Sequence, residues 1–278
     1  MKGPLRIIFP LTVLLLWAMF GMGLANGTWT PVQWLMLILG HLACLIIFVS
    51  FIYVFNYGYG LALALIGTAL LALMPSAQAA LIGGIAIAFG LRILRFTYTR
   101  YRAGSYSGHV ERQQQANTTT PLPVKLVVWI FVSWLMAFEL MPLYFVARST
   151  DGEPWAPWAT AGGLLMLLGL VAEAIADNQK QAAKERNPSG FVTAGLFRLV
   201  RHPNYLGEIV FQLGLIVACL GSVSGWREIL LAVPAPIYVI ILMSYAALDG
   251  DRQQASRYGD DPAYQQYRSA TGRLLPGL

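Results

Sequence analysis

RLVRHPNYLGEIVFQLG, residues 198–214, sets Arg198, Arg201 and His202 directly before a proline and an apolar run. Pro203 suits the first turn of a helix, where its missing N–H costs nothing. The stretch therefore predicts a charged lip followed by a helix that enters an apolar environment. Asn204 and Glu208, four residues apart, project from one face of that helix, with Tyr205 beside them.

Composition says what the environment is. Of the 278 residues, 57% are hydrophobic and 12% charged, against a charged fraction of roughly 25% in a soluble domain. Apolar runs recur at about 20 residues, the length that crosses a hydrocarbon core of roughly 30 Å. A spanning segment satisfies its own backbone, so these runs are predicted as helices. Candidate spans lie near 5–25, 31–55, 58–75, 77–97, 122–147, 157–177, 204–223 and 226–248, with the division at 56–60 the least sharply marked. The predicted fold class is all-α: a polytopic membrane bundle of seven or eight helices in one domain over 1–278. Lys2 and Arg6 before the first apolar run also fit a signal peptide, but the run is long for such a core and lacks a small-x-small exit. A retained first helix is the preferred reading.

Basic residues divide unevenly among the connections. Segments 98–121, 178–203 and 249–278, with Arg92 and Arg95, hold most of the Lys and Arg, while 26–30, 75–77 and 148–156 contribute only Arg148. The positive-inside rule puts the three basic segments, C-terminus included, on the cytoplasmic side. That topology accounts for the net charge of +6. No basic soluble domain or recognition motif accompanies it, so nucleic acid is not an expected partner, and no obligatory protein partner is evident.

Other classes lack their signatures. There is no GxGxxG after a strand, no GxxxxGK[ST], no HExxH and no CxxC, which removes soluble dinucleotide, P-loop, zincin and zinc-ribbon readings. His41, His109 and His202 are too scattered for a metal site by local spacing, and no metal is expected. Cys44 and Cys219 fall within spans and read as core residues. QQQANTTTP, 113–121, reads as a flexible loop.

Ionisable residues inside a span cost at least roughly 2.5 kcal/mol for Asp at a helix centre, and so mark functional positions. Glu139, Glu173, Asp177 and Glu208 are the candidates. Glu173 and Asp177 lie one helical turn apart; Glu139 stands three residues before Pro142. The cluster of 198–202 beside a helix N-terminus is a natural anion site. It suits a phosphate-bearing cofactor whose other end meets Asn204 and Glu208. The competing reading is an arginine belt on lipid phosphates.

Two further basic sets accompany it. Arg92, Arg95, Arg100 and Arg102 are interleaved with Tyr98 and Tyr101, and the tail 251–276 carries Tyr258, Tyr264, Tyr267, Arg268 and Arg273. The tail either folds over the cytoplasmic mouth or is an exposed terminus. In IYVFNYGYG, 52–60, Tyr53 and Tyr57 share a helix face with Asn56 beside them. They are candidates to hydrogen-bond a substrate carbonyl, with an interfacial tyrosine belt as the alternative.

AEAIADNQKQAAKERNPSGFVTAGLFRLVRHPNYLGEIVFQLG, 172–214, resembles the hallmark of the membrane steroid 5-alpha-reductase family and the bacterial proteins grouped with it as DUF1295. The shared pattern is Asp177 with Gln179 and Lys180, a Gly-Leu-aromatic at 195–197, and RHPNYxGE at 201–208. The likeness extends more weakly through 90–104 and 258–276, and leaves the first 85 residues matched only in hydrophobic character. It implies an oxidoreductase: NADPH-dependent reduction of a carbon–carbon double bond conjugated to a ketone, as in a 3-oxo-4-ene steroid. The resemblance also implies a cofactor site inside the bundle, open to the cytoplasm. Helices of 1–97 then precede a cofactor-binding part, 98–278. By motif position, Asp177, Asn204 and Glu208 are implied to hold the nicotinamide–ribose part, and Arg201, His202 and Tyr205 the wall. Arg92, Arg95, Arg100, Arg102, Lys180, Lys184 and Arg198, with Tyr258, Tyr267 and Arg268 of the tail, are implied to hold the phosphates. The family pairs a Gln-Glu dipeptide in an early helix with a later Tyr, and this chain has no such dipeptide there. Tyr53, Asn56 and Tyr57, with Tyr98 and Glu139, are the substitutes. Isoprenylcysteine methyltransferase-like membrane enzymes share a related RHPxYxG stretch, which makes an S-adenosylmethionine-dependent methyltransferase the runner-up. A non-enzymatic sterol- or lipid-binding protein is third. A bacterial inner membrane and an endoplasmic reticulum are equally compatible with these features.

Overall fold

The computed structural model describes residues 5–149 and 156–276. Lys2 and most of the connection 148–156 lie outside the described residues. Twelve α-helices make up the described chain: α1 (Leu5–Ala25), α2 (Pro31–Cys44), α3 (Tyr57–Leu73), α4 (Ala77–Arg102), α5 (Ser107–Thr119), α6 (Leu122–Glu139), α7 (Met141–Arg148), α8 (Pro157–Arg186), α9 (Pro203–Cys219), α10 (Gly225–Ala232), α11 (Pro234–Tyr258) and α12 (Pro262–Ala270). Among the described residues there is no strand, only an isolated parallel bridge between Val200 and Gly272.

Among the described residues six helical stretches are long and apolar enough to cross a membrane: Ile7–Ala25, Pro31–Phe48, Ala77–Arg102, Leu122–Arg148, Pro157–Arg186 and Gly225–Tyr258. Shorter α3 and α9 are apolar as well. The chain is thus an all-helical, polytopic integral membrane protein. Prolines in the first turns of α2, α8, α9, α11 and α12 start helices where an N–H is not needed. Thr30 and Gln33 close a capping box on α2, and the Ser76 hydroxyl accepts from Ala79 N–H at the start of α4.

Local structure departs from the apolar pattern in three places. The span expected over 31–55 is α-helical only to Cys44 and continues as two 3₁₀ turns, Leu45–Phe48 and Phe51–Phe55, around an extended Ser50. The run LIIFVSFIYVF is rich in β-branched and aromatic residues, which form helix poorly. Asn117 takes the freed Phe51 N–H at 3.0 Å. That contact comes from α5, the segment whose end, 113–121, reads as a flexible loop in sequence. It is helical over Ser107–Thr119, and the Asn117 side-chain Oδ1, which also accepts from Lys125 Nζ at 2.8 Å, ties its end to its neighbours. Finally, the span 122–148 breaks at Leu140, because Pro142 offers no N–H to Phe138 and α7 must start afresh. The break leaves Glu139 fully buried at a helix end inside the bundle.

α9 lies at the centre, flanked by α8, α11 and α7. Its approach to α8 depends on glycine. A Cβ on Gly169 would meet Gly207 O and Phe211 N at 2.5 Å, and one on Gly214 would meet Met166 N at 2.6 Å. Small residues at such crossings let helix backbones come together inside a membrane. Phe211 of α9 then stacks on Phe89 of α4, centroids 4.2 Å apart, and ties the central helix to the other wall.

Candidate functional site

The turn that carries Arg201 and His202 into α9 is held by the tail. Arg201 grips Asp251 of α11 through Nε at 3.0 Å and Nη2 at 2.8 Å, a bidentate pair. His202 Nε2 lies 2.8 Å from the same carboxylate, and Arg273 Nε donates to it at 2.8 Å. Arg201 Nη1 donates to the carbonyls of Arg268 and Thr271. The backbone completes the clasp, with Arg201 N donating to Gly272 O at 2.9 Å and His202 N to Arg273 O at 3.1 Å. The tail therefore packs over this end of the bundle. Burial lowers the His202 pKa below its ordinary 6.5, only partly offset by Asp251. Two guanidiniums already neutralise that carboxylate, so it offers the imidazole little net charge.

Behind the clasp lies a cavity of about 540 Å³ between the ends of α4, α8 and α11, the start of α9 and part of α5. Six basic side chains line it, Arg100, Arg112, Lys180, Lys184, Arg201 and Arg257, against two acidic ones, Asp177 and Asp249. Aromatic rings, among them Phe96, Tyr106, Phe191, Tyr205 and Tyr258, form much of the remaining wall. Its volume falls in the range of small-molecule and cofactor sites, roughly 300–1,000 Å³. Among the described residues Arg100, Lys180 and Arg257 make no ion pair, so the positive field of the cavity is not cancelled locally. Lys184 instead donates to the Gly190 carbonyl at 2.6 Å, shaping the loop after α8.

Deeper in the bundle the polar groups continue. Arg92 of α4 bridges two residues of α8, Glu173 at 2.7 Å and Asp177, whose side chain also lines the cavity. Glu208, one turn beyond Asn204 on α9, follows Gly207, which packs directly against Glu173 of α8. On its other side Tyr59 of α3 lies 2.7 Å from Glu208 Oε1 and 2.8 Å from Glu139 Oε1. Gln212 Nε2 closes the group at 2.8 Å from Glu208 Oε1 and 3.1 Å from Tyr59 Oη, and it also donates to Glu139. Three helices, α3, α6 and α9, thus converge on one phenol, two carboxyls and one carboxamide. Glu139 Oε2, Gln212 Oε1 and Asn204 Oδ1 are buried with no hydrogen-bond partner.

Of the residues singled out in the sequence, Arg100, Asp177, Lys180, Lys184, Arg201, His202, Tyr205 and Tyr258 line the cavity. Arg92, Asn204, Glu208 and Glu139 lie deeper, as described. Tyr267 flanks the wall, donating to Phe197 O at 2.8 Å and stacking on Phe191. Arg95, Arg198 and Arg268 are exposed outside the cavity, and Arg102 covers the half-exposed ring of Tyr98. Tyr53 and Tyr57 pack with Tyr101 at 5.4 and 6.0 Å between centroids, with Asn56 beside Tyr101 and not at Glu139. Tyr59 takes the position facing Glu139. The 3₁₀ turns before α3 shift the helical phase, so the spacing of Tyr53 and Tyr57 does not carry through. The flanking glycines were the available signal, since Gly60 meets Gly90 closely and brings α3 against α4. Gln212 was legible as the next step of the Asn204, Glu208 spacing.

Fold and site together define a polytopic helical membrane protein with a basic, cofactor-sized cavity at one end and a buried acid–phenol–amide cluster behind it. The chain belongs to the DUF1295 family, described as a protein of unknown function, which it matches over residues 45–271. It is 22% identical over 211 residues to an uncharacterized protein of Schizosaccharomyces pombe, covering 66% of this chain and 60% of that protein. It is also 33% identical over 82 residues to a probable O-methyltransferase, ustE, of Ustilaginoidea virens, covering 28% of this chain and 29% of that protein. The chain therefore spans less than two thirds of the length of both curated relatives. No solved structure matches it.

Proposed function

We propose that the protein is a membrane reductase that uses NADPH to saturate the double bond of a lipophilic conjugated ketone, such as a 3-oxo-4-ene steroid. The observation that carries this reading is the continuity between the basic cavity and the Tyr59–Glu139–Glu208–Gln212 cluster. The donor set suits a polyanionic dinucleotide: Arg100, Lys180, Lys184 and Arg257 for its phosphates, with Arg112 beside them. Rings such as Phe191 and Tyr258 offer faces for a base. Buried Asn204 Oδ1, an acceptor without a donor, suits the carboxamide of a nicotinamide, and Asp177 stands at the same inner end.

When bound, NADPH would supply a hydride to the β-carbon of such a ketone. Negative charge then builds on the ketone oxygen, where a pre-placed donor in a dry site contributes roughly 3 kcal/mol. Tyr59 Oη is the hydroxyl held for that task, oriented by Glu139, Glu208 and Gln212. The surrounding apolar core, with Phe89, Phe138 and Phe211 fully buried, excludes water. The basic end of the bundle, with the C-terminal tail, is assigned to the cytoplasm, where NADPH is available.

A second reading, an S-adenosylmethionine-dependent methyltransferase, is favoured by the short match to the probable O-methyltransferase. The charge of the cavity speaks against it, because a cationic sulfonium gains little from six basic side chains. Turnover decides between them. Purified protein given NADPH and a 3-oxo-4-ene steroid should consume the reduced nicotinamide absorbance only when both are present; oxidation that ignores the enone would count against the proposal.

A further inference from the structure

The reductase reading leaves a proton unaccounted for, and hydrogen counting in the core shows where one is kept. Tyr59 has a single hydroxyl hydrogen, yet carboxyl oxygens of both Glu139 and Glu208 lie within 2.8 Å of it. Only one can accept from the phenol; the other must itself carry a hydrogen and donate. The same holds one step outward. Glu173 Oε2 is buried with no hydrogen-bond partner, and Gly207, the residue before Glu208, packs directly on Glu173, where an added Cβ would meet the Glu173 Cβ at 2.8 Å, so the two carboxyls are neighbours. Two neighbouring carboxyls in a buried site hold a proton between them, because both cannot ionise there. A separate observation points into the cluster: Gln212, fully buried, leaves Oε1 without a donor. The group is therefore short of hydrogens in its hydrogen-bond network and has room for an incoming O–H.

We propose that Glu173, Glu208 and Tyr59 form a proton relay from the cavity to the substrate. Asp177, one turn along α8 from Glu173, opens on the cavity and marks its entrance. Arg92 spans Glu173 and Asp177 and fixes the spacing of that entrance without carrying the proton. The proposal rests on the reductase reading, whose balance requires it. Reduction of the double bond adds one hydride and one proton. As the hydride's electron pair forms the new C–H bond at the β-carbon, the double-bond pair shifts toward the carbonyl carbon and the carbonyl π pair moves to oxygen. That oxygen takes the proton of Tyr59 Oη; the Glu208 carboxyl restores the phenol, Glu173 restores Glu208, and a proton entering beside Asp177 restores Glu173. The enol so formed returns to the ketone as its O–H proton is lost and the α-carbon gains one.

Two measurements on the full chain in lipid nanodiscs separate the relay from the reading beneath it. Infrared spectra in H₂O and D₂O read a protonated carboxyl as a deuterium-sensitive carboxylic C=O band, with or without a substrate. The wild-type protein should show the band, and Glu208→Gln should weaken it; its absence overturns the relay. In turnover with NADPH and a 3-oxo-4-ene steroid, Glu173→Gln should lower kcat by at least about tenfold. The solvent deuterium isotope effect should rise while KM for NADPH changes little. An unchanged kcat and isotope effect in Glu173→Gln overturns the relay and leaves the reductase standing. Absence of any turnover in the wild type, with the band present, overturns the reductase reading and the relay's place in it.

Discussion

Tyr59 is the residue on which the chemical account turns, because it is the hydroxyl that three helices bring to a pair of carboxyls. Tyr59→Phe keeps the ring and removes the donor, so kcat for enone reduction should fall by about a hundredfold or more with KM for NADPH little altered. Tyr57→Phe is the counter-test. That ring stacks on Tyr101, and a larger loss there than at Tyr59 would return the role to the tyrosine favoured by sequence spacing. At this scale, charge was the legible quantity. Asp177, Asn204 and Glu208 stand out because polar residues in an apolar helix are costly. Tyr59 carries no formal charge, and the phase of α3 is set by the broken turns before it, which side-chain periodicity does not report.

Elements are held together by two devices that respond differently to substitution. Between α8 and α9 the contact is backbone on backbone, so Gly169→Leu drives a side chain into Gly207 O and Phe211 N, which have nowhere to go. It should destabilise the protein by about 2–3 kcal/mol in a melting experiment. Gly84→Ala, where a Cβ meets nothing within 4 Å, should be neutral or slightly stabilising. The tail clasp is ionic. Asp251→Asn leaves Arg201 buried without its carboxylate, a loss of about 3–5 kcal/mol where such a pair is fully buried, and limited proteolysis should then cut the tail sooner than in the wild type.

His202 adds a pH dependence to the clasp. Its pKa in the folded protein is depressed by burial, so the unfolded chain binds its proton more readily. The stabilisation is full above about pH 6.5, the ordinary value, and is lost as pH falls from there through the folded value. Melting temperature should drop over that interval, and His202→Asn should flatten the drop. Helix starts were readable from proline and capping residues. The clasp was not, because its partners, Arg201, Asp251 and Arg273, are joined by folding across 50 and 22 residues of chain.

For the whole molecule, composition and run length were enough to establish an all-helical membrane bundle, since lipid leaves the backbone few alternatives. The gathering of basic segments at one end was also readable, because it reflects the division of charge among the connections. What the sequence could not supply was the depth order: which basic side chains face an interior cavity and which, like Arg95, Arg198 and Arg268, face outward. That order follows from the crossing of α4, α8, α9 and α11. It makes a cavity lined by six basic side chains, with a polar path leading inward from it. Ligand-dependent melting of the purified protein tests this most directly, because a ligand that binds only the folded state raises the transition by mass action, about 2.7 kcal/mol at a hundred times its Kd. NADPH should raise the melting temperature, less so in Lys180→Ala, and S-adenosylmethionine should not; a rise with S-adenosylmethionine and none with NADPH would contradict the account.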